Sequence, residues 1–272
     1  MSLPSPLIKP ARTVLNQFRL ATAPFRGLPD FLIIGAQKAG TSSLFSYLDQ
    51  HPAVKMSRAK EVHYFDLNYA KGETWYRSFF ALDQQKLKGE ASPYYLFHPH
   101  VAKRIKQLLP EAKLLVLLRN PTERALSQYF HAVRRDGETL DIQTALETEE
   151  ERIGPDWQKL LSDETYQSEM VQLRSYKKRG LYLEQLERYW EHFAKEQILV
   201  LSSEAFFSEP NEILKTVYTF LGLTYEPIAN LEPQNIGSNR TRVAPEVIDY
   251  LNSYFAPFNK ALFESLGQQF DW

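Results

Sequence analysis

Lys38 lies between two glycines, Gly35 and Gly40, and three hydroxyl residues follow: Thr41, Ser42 and Ser43. These residue types at this spacing make an anion site. Glycine lets backbone N–H groups approach a phosphate closely, lysine brings a mobile point charge, and the hydroxyls add donors. Two other places in the chain could work on what such a site holds. Glu61 and His63 sit two apart in KEVHYFD (60–66), and Arg119 follows the apolar run Leu114 to Leu118. A carboxyl that titrates near ~4.3 must be raised by burial or neighbours before it serves as an efficient base. Arginine's planar fork can grip a phosphate in two places.

A strand, a turn and a helix must hold Lys38. Residues 30–51, DFLIIGAQKAGTSSLFSYLDQH, predict a strand from Phe31 to Ile34, a turn with Gly35 and Gly40, and a helix opening at Thr41 or Ser42. A Walker A loop has its lysine directly after the second glycine. Here Lys38 precedes Gly40. A kinase or ATPase would also want a strand-terminal Asp for magnesium, whereas Leu114 to Leu118 ends in Arg119-Asn120. A P-loop kinase therefore fits poorly. A loop that sets Lys38 on a phosphate-like group without a metal suits transfer of a sulfuryl group from an adenosine phosphosulfate.

The other elements follow in order. KEVHYFD reads as extended, which puts Glu61 and His63 on one face with Val62 opposite. The alternative for Glu61 is a solvated pair with Lys60. An aromatic helix is expected over Thr74 to Phe80, a short strand over Leu87 to Ser92 and an amphipathic helix over His98 to Leu109. Lys113 to Leu118 reads as a parallel strand buried on both faces, and ligands sit at the carboxyl ends of such strands. Arg119 emerges there, with a strand-end salt bridge as its alternative role. Pro121-Thr122-Glu123 opens the next helix, on which Ser127 lies and Arg124 reads as a surface charge. Tyr129 to Gly180 looks least regular, with the acidic run Glu147 to Glu151 as a solvated helix face and Gly154-Pro155 after it. Leu181 to Lys195 is a helix with Leu183, Leu186, Tyr189, Trp190 and Phe193 as its buried stripe. A strand over Gln197 to Leu201, a helix over Asn211 to Leu221, a loop over Leu223 to Pro245 and a helix over Pro245 to Leu266, interrupted near Pro257, complete the chain. The fold class is α/β: one domain with a central, mostly parallel sheet flanked by helices.

The 272 residues suffice for one large domain, read here as residues 30–272 after an amino-terminal extension, 1–29. Lys+Arg 32 against Asp+Glu 33 argues against bulk nucleic-acid binding, and without cysteine there is neither a disulfide framework nor a thiolate metal site. No apolar run approaches the ~20 residues of a transmembrane span. Met1 to Pro29 lacks the core of a signal peptide, so a cytoplasmic protein is expected. Pro4, Pro6, Pro10, Pro24 and Pro29 should break any long element there. A short helix over Arg12 to Leu20, with Val14, Leu15 and Phe18 as its stripe, is expected to pack on the domain. Its polar face is not richly basic, which speaks against a membrane-surface anchor.

Six segments in this order carry a resemblance: QKAGTSSL (37–44), KEVHYFD (60–66), GEASPYYL (89–96), LLRNPTERALSQYFH (117–131), RGLY (179–182) and PFNKALFESLGQQFDW (257–272). From about Asp30 to Trp272 the chain resembles the heparan sulfate N- and 3-O-sulfotransferases and their bacterial relatives. The resemblance implies 3′-phosphoadenosine 5′-phosphosulfate (PAPS) as donor, adenosine 3′,5′-bisphosphate (PAP) as product, and no metal. It implies that Lys38, Ala39, Gly40, Thr41, Ser42 and Ser43 bind the 5′-phosphosulfate, that Glu61 is the base with Lys38 and His63 beside it, and that Arg119 and Ser127 hold the 3′-phosphate. Relatives cover the nucleotide with a lysine-glycine-arginine stretch. Here Arg240, Thr241 and Arg242 match its charged ends without the glycine. Many animal members carry a lysine where this chain has Ala91, which weakens the implication of a heparan-type acceptor. Asp66, Tyr94, Tyr95, His131, Arg134 and Arg135 are the acceptor-side candidates. The acceptor expected is a saccharide or glycosylated small molecule made inside a bacterial cell, taking sulfate on a hydroxyl or amine, with a lipid or polyketide hydroxyl as runner-up. A module that binds a nucleotide or sulfated glycan without turnover is the other class of reading. The presence of Lys38, Glu61 and Arg119 together speaks against it.

Overall fold

Five short strands form one parallel sheet: β1 (Phe31–Gly35), β2 (Val54–Met56), β3 (Leu87–Ala91), β4 (Lys113–Leu118) and β5 (Ile198–Ser202), in the order β2-β3-β1-β4-β5. The computed structural model describes residues 5–228, 231–232 and 243–272, and for 5–12 the backbone alone. In β1 every residue is buried, and in β4 every residue after Lys113, because helices cover both faces of the sheet. Ile33 of β1 is level with Ala91 of β3 on one side and Leu115 of β4 on the other. The carboxyl ends of the three central strands therefore open at one edge.

Twelve α-helices connect and flank these strands among the described residues: α1 (Ser5–Ala21), α2 (Thr41–Leu48), α3 (Gly72–Arg77), α4 (Val101–Leu108), α5 (Pro121–His131), α6 (Ile142–Glu147), α7 (Glu149–Ser162), α8 (Glu169–Arg174), α9 (Tyr182–Trp190), α10 (Ser203–Ser208), α11 (Pro210–Leu221) and α12 (Pro245–Leu266). Three begin at the edge where the strands end, α2, α5 and α10. Gly40 precedes α2, and Asn120 caps α5, its side chain accepting from Thr122 N and Glu123 N at 3.0 and 3.2 Å with Pro121 behind it. The main core wraps the sheet. A second apolar cluster joins α5 to α12 through Ala125, Leu251 and Phe255.

Five expectations need correction. Residues 129–180 are largely helical (α6 to α8), and Glu149 within the acidic run is buried, accepting from Lys177 N and Lys178 N at 2.6 and 2.9 Å. Two otherwise open N–H groups are satisfied by that carboxylate. α12 runs on through Pro257, because Phe255 and Leu262 are buried on either side of it and hold the two halves in line. α1 runs through Pro6 and Pro10 and is longer than expected. From Thr13 to Ala21 its residues are exposed except half-buried Arg19, so the expected stripe of Val14, Leu15 and Phe18 is not covered by the domain.

Candidate functional site

After β1 the chain turns sharply at the sheet's carboxyl edge. Lys38 takes a left-handed conformation (φ 73°), as does Gly40 (φ 96°), and the Gly40 carbonyl accepts the N–H groups of Ser43 and Leu44 at 3.0 and 3.1 Å to start α2. Only glycine fits here: a Cβ on Gly40 would lie 2.8 Å from the Phe207 ring. No side chain caps α2, so its first N–H groups point into the turn. Arg119, one residue beyond β4, donates through Nη1 to the Lys38 carbonyl at 3.1 Å and through Nη2 to Glu123 at 3.2 Å. Its strand-end salt bridge is thus real, and the same guanidinium also clamps the lysine turn. Arg179 of the RGLY segment donates to Gln37 and lies 4.7 Å over the Tyr94 ring.

Cations crowd around Lys38. Its ammonium is held below its ordinary value by burial first, then by Arg134, Arg119 and Arg124, with Glu61 opposing. Its Nζ lies 3.5 Å from His131 Nδ1, and His131 is lowered by burial and by Lys38. Arg124 is not the surface charge expected. It is fully buried beneath the helices of 129–180, donates to the Tyr176 carbonyl, and keeps Nε and Nη1 without partners. A locus this rich in positive charge fits a ligand with several anionic groups. Ser127 lies half-buried on α5.

Opposite this cluster stands the KEVHYFD segment, which is not extended. Glu61 and His63 are both left-handed (φ 60° and 54°), and the turn brings their side chains together all the same. His63 Nε2 is 3.6 Å from Glu61 Oε2, and His63 Nδ1 is 2.8 Å from Asp66 Oδ2. Asp66, whose side chain is wholly buried, also accepts from Leu67 N at 2.6 Å. Burial would push His63 down, but Asp66 and then Glu61 outweigh it and raise the imidazole to about 10. Glu61 is pulled the other way: the His63 cation first, then Lys60 against the opposing effect of burial, lower it to about 2. Lys60 Nζ also bonds Glu61 directly. At neutral pH the three side chains form a carboxylate–imidazolium–carboxylate chain.

Backbone contacts fix that turn to the sheet. Glu61 N donates to the Ala91 carbonyl at 2.7 Å, and His63 N to Ser92 Oγ at 3.0 Å. Ser92 Oγ in turn donates to Glu90 at 2.5 Å, and Tyr76 OH donates to the same carboxyl at 3.1 Å. Glu90 is completely buried, and desolvation raises it to about 7. Sequence reasoning passed over Glu90. A charged residue inside a strand buried on both faces is the signal that could have found it.

The acceptor-side candidates separate. Tyr95 has no exposed surface, its OH accepting from Tyr64 N and Phe65 N, and Tyr94 is 4% exposed, so aromatic packing claims both. Asp66 holds His63. His131 is half-buried beside Lys38, while Arg134 and Arg135 are exposed on the following turn, Ala132–Asp136. Arg240, Thr241 and Arg242 lie outside the described residues.

Comparison with known proteins identifies the family. A family model described as "Sulfotransferase domain" matches residues 28–243. A membrane-associated sulfotransferase, kil1, of Dictyostelium discoideum is 28% identical over 90% of this chain and 66% of its own length. Heparan sulfate glucosamine 3-O-sulfotransferase 3B1 of Mus musculus is 30% identical over 90% of this chain and 65% of its own length. The chain thus spans about two thirds of these relatives. Among solved structures, a sulfotransferase from Alicyclobacillus acidocaldarius superposes with a TM-score of 0.75 at 31% identity, over 90% of this chain and 98% of that one.

Proposed function

The chain belongs to the sulfotransferase family of enzymes, and from that premise we propose that it moves a sulfuryl group from PAPS to a hydroxyl or amine of a saccharide or glycosylated compound, in line and without a metal. The observation that carries this reading is the Lys38 cation cluster within electrostatic reach of the Glu61 carboxylate. PAPS, when bound, supplies an activated sulfuryl group and a phosphate leaving group. Lys38 neutralises charge that develops on the bridging oxygen. The N–H groups of Gly40, Thr41 and Ser42 offer a preorganised electrostatic cradle for the 5′-phosphosulfate, with the Ser43 hydroxyl beside them. Arg119 and Ser127 take the 3′-phosphate, with Arg240, Thr241 and Arg242 covering the nucleotide.

Glu61 takes the acceptor's proton. Its resting value near 2 is low for a base, and two changes on loading raise it. Negative charge gathered by Lys38 disfavours the neighbouring carboxylate, and an acceptor hydroxyl that displaces His63 from Oε2 removes the cation that lowers it most. Asp66, 2.8 Å from His63 Nδ1, holds the imidazole beside the site as the acceptor enters.

The saccharide class rests on the 3-O-sulfotransferase relatives and on Arg134 and Arg135, exposed where uronate or sulfate groups would meet them. A bacterial, cytoplasmic setting completes the reading. No helix among the described residues is long and apolar enough to cross a membrane. An acceptor screen with sulfur-labelled PAPS over oligosaccharides, glycolipids and hydroxylated acyl compounds tests it. Transfer to saccharides, weakened by Arg134→Ala and Arg135→Ala in a salt-dependent way, is expected. Transfer to uncharged acyl hydroxyls alone would overturn the saccharide assignment.

A further inference from the structure

The amino-terminal helix leaves an apolar stripe uncovered. Val14, Leu15 and Phe18 of α1 keep 65%, 45% and 54% of their surface, and Phe25, in the short turn Ala23–Phe25 that follows, keeps 71%. On a helix the first three fall within about 100° of arc, so they share one side. Single exposed apolar residues are ordinary, but a run of large ones on one segment marks a contact surface. The segment is fastened to the body near its end: Arg26 donates to Thr22 Oγ1 and to the Phe80 carbonyl, at 3.1 and 2.6 Å.

The charge that this segment itself carries is of one sign. Residues 1–29 hold Lys9, Arg12, Arg19 and Arg26 and no Asp or Glu. Exposed Arg58 stands close enough to feel two of them. Arg26 and Arg58 are both held below the ordinary arginine value, by burial first and then by neighbouring guanidiniums, and no carboxylate offsets this. A second copy would bring these cations face to face and be repelled. The helix's own polar face is not richly basic, but the fold adds Arg58 to it, and an apolar stripe bordered by these arginines complements a surface with acyl chains below and phosphates above.

We infer that α1 docks the protein on an anionic lipid surface, with Val14, Leu15 and Phe18 entering the acyl boundary and Arg19 and Arg58 meeting lipid phosphates. The helix lies along the surface and does not cross it. α1 is 17 residues long and carries three cations, Lys9, Arg12 and Arg19.

Vesicle cosedimentation of the full chain tests this. Phosphatidylcholine vesicles with about one-third phosphatidylglycerol should bind it, pure phosphatidylcholine should bind it far less, and added salt should release it. Leu15→Glu with Phe18→Glu should lower partitioning at least about tenfold while leaving the melting temperature and PAP affinity unchanged. Absence of excess binding to anionic vesicles would overturn the inference, as would equal binding by the double variant. A wild-type dimer that the same variant makes monomeric would assign the stripe to a second copy and also overturn it.

Discussion

Asp66→Asn tests how the three-residue chain around Glu61 is tuned. His63 is raised from 6.5 to about 10 although burial works against it, so its two carboxylates supply the whole rise and more. Asp66 lies at 2.8 Å and Glu61 at 3.6 Å. The closer partner carries at least half, so removing its charge should lower the His63 midpoint by about two pH units, close to 3 kcal/mol. The change is nearly isosteric, which keeps the packing around the buried side chain. Proton–carbon NMR of the six histidines reads the midpoint directly, with His63 assigned by the signal lost in His63→Gln. The wild-type signal should titrate near 10 and the variant's near 8. With His63 neutral above that point, the carboxylate beside it loses its main depressing influence. An unchanged midpoint in Asp66→Asn would refute the chain.

Lys38→Ala should weaken PAP binding by between about tenfold and a hundredfold, the worth of a lost charge-assisted contact, as read by calorimetry. Unaltered affinity would take Lys38 out of the donor site. Gly40→Ala forces a Cβ against the Phe207 ring at a positive φ, and should cost about 1–3 kcal/mol in urea unfolding; a neutral result would contradict the turn geometry. Glu90 has a folded value of about 7 against an ordinary 4.5, so the wild type should lose stability as pH climbs through that interval and be level above it. Relative to Glu90→Gln the loss between pH 4 and 8 should reach roughly 3 kcal/mol at most, and a gap that does not vary with pH would show that Glu90 is not a buried titrating acid.

The strand–turn–helix around Lys38 was legible because its determinants are local. Glycine spacing, an apolar run and a row of hydroxyls lie within a dozen residues, and β4 announced itself as an unbroken apolar run. Arg119 was legible as the residue that such a strand delivers to its carboxyl end. What could not be read depends on distant chain. Arg124 looks like a helix-surface charge until the segment around Tyr176 is laid against it, and Glu149 looks solvated until the backbone of Lys177 and Lys178 arrives. The nearness of Glu61 and His63 was anticipated from an extended backbone, whereas two consecutive-but-one left-handed residues deliver it. Side-chain contacts with Ser92 and Asp66 hold that turn, and no local pattern encodes them. α1 illustrates the reverse case. Its stripe was visible, but whether the domain covers it is a tertiary fact.

The central claim is that Glu61 takes a proton while Lys38 steadies the departing phosphate. Sulfur-labelled transfer from PAPS by wild type and by Glu61→Gln, to an acceptor found in the screen and alongside PAP calorimetry on both proteins, tests it most directly. Glu61→Gln should keep its PAP affinity and lose about 10²–10⁴ in turnover. A variant that binds PAP as the wild type does and transfers sulfate at the wild-type rate would contradict the account.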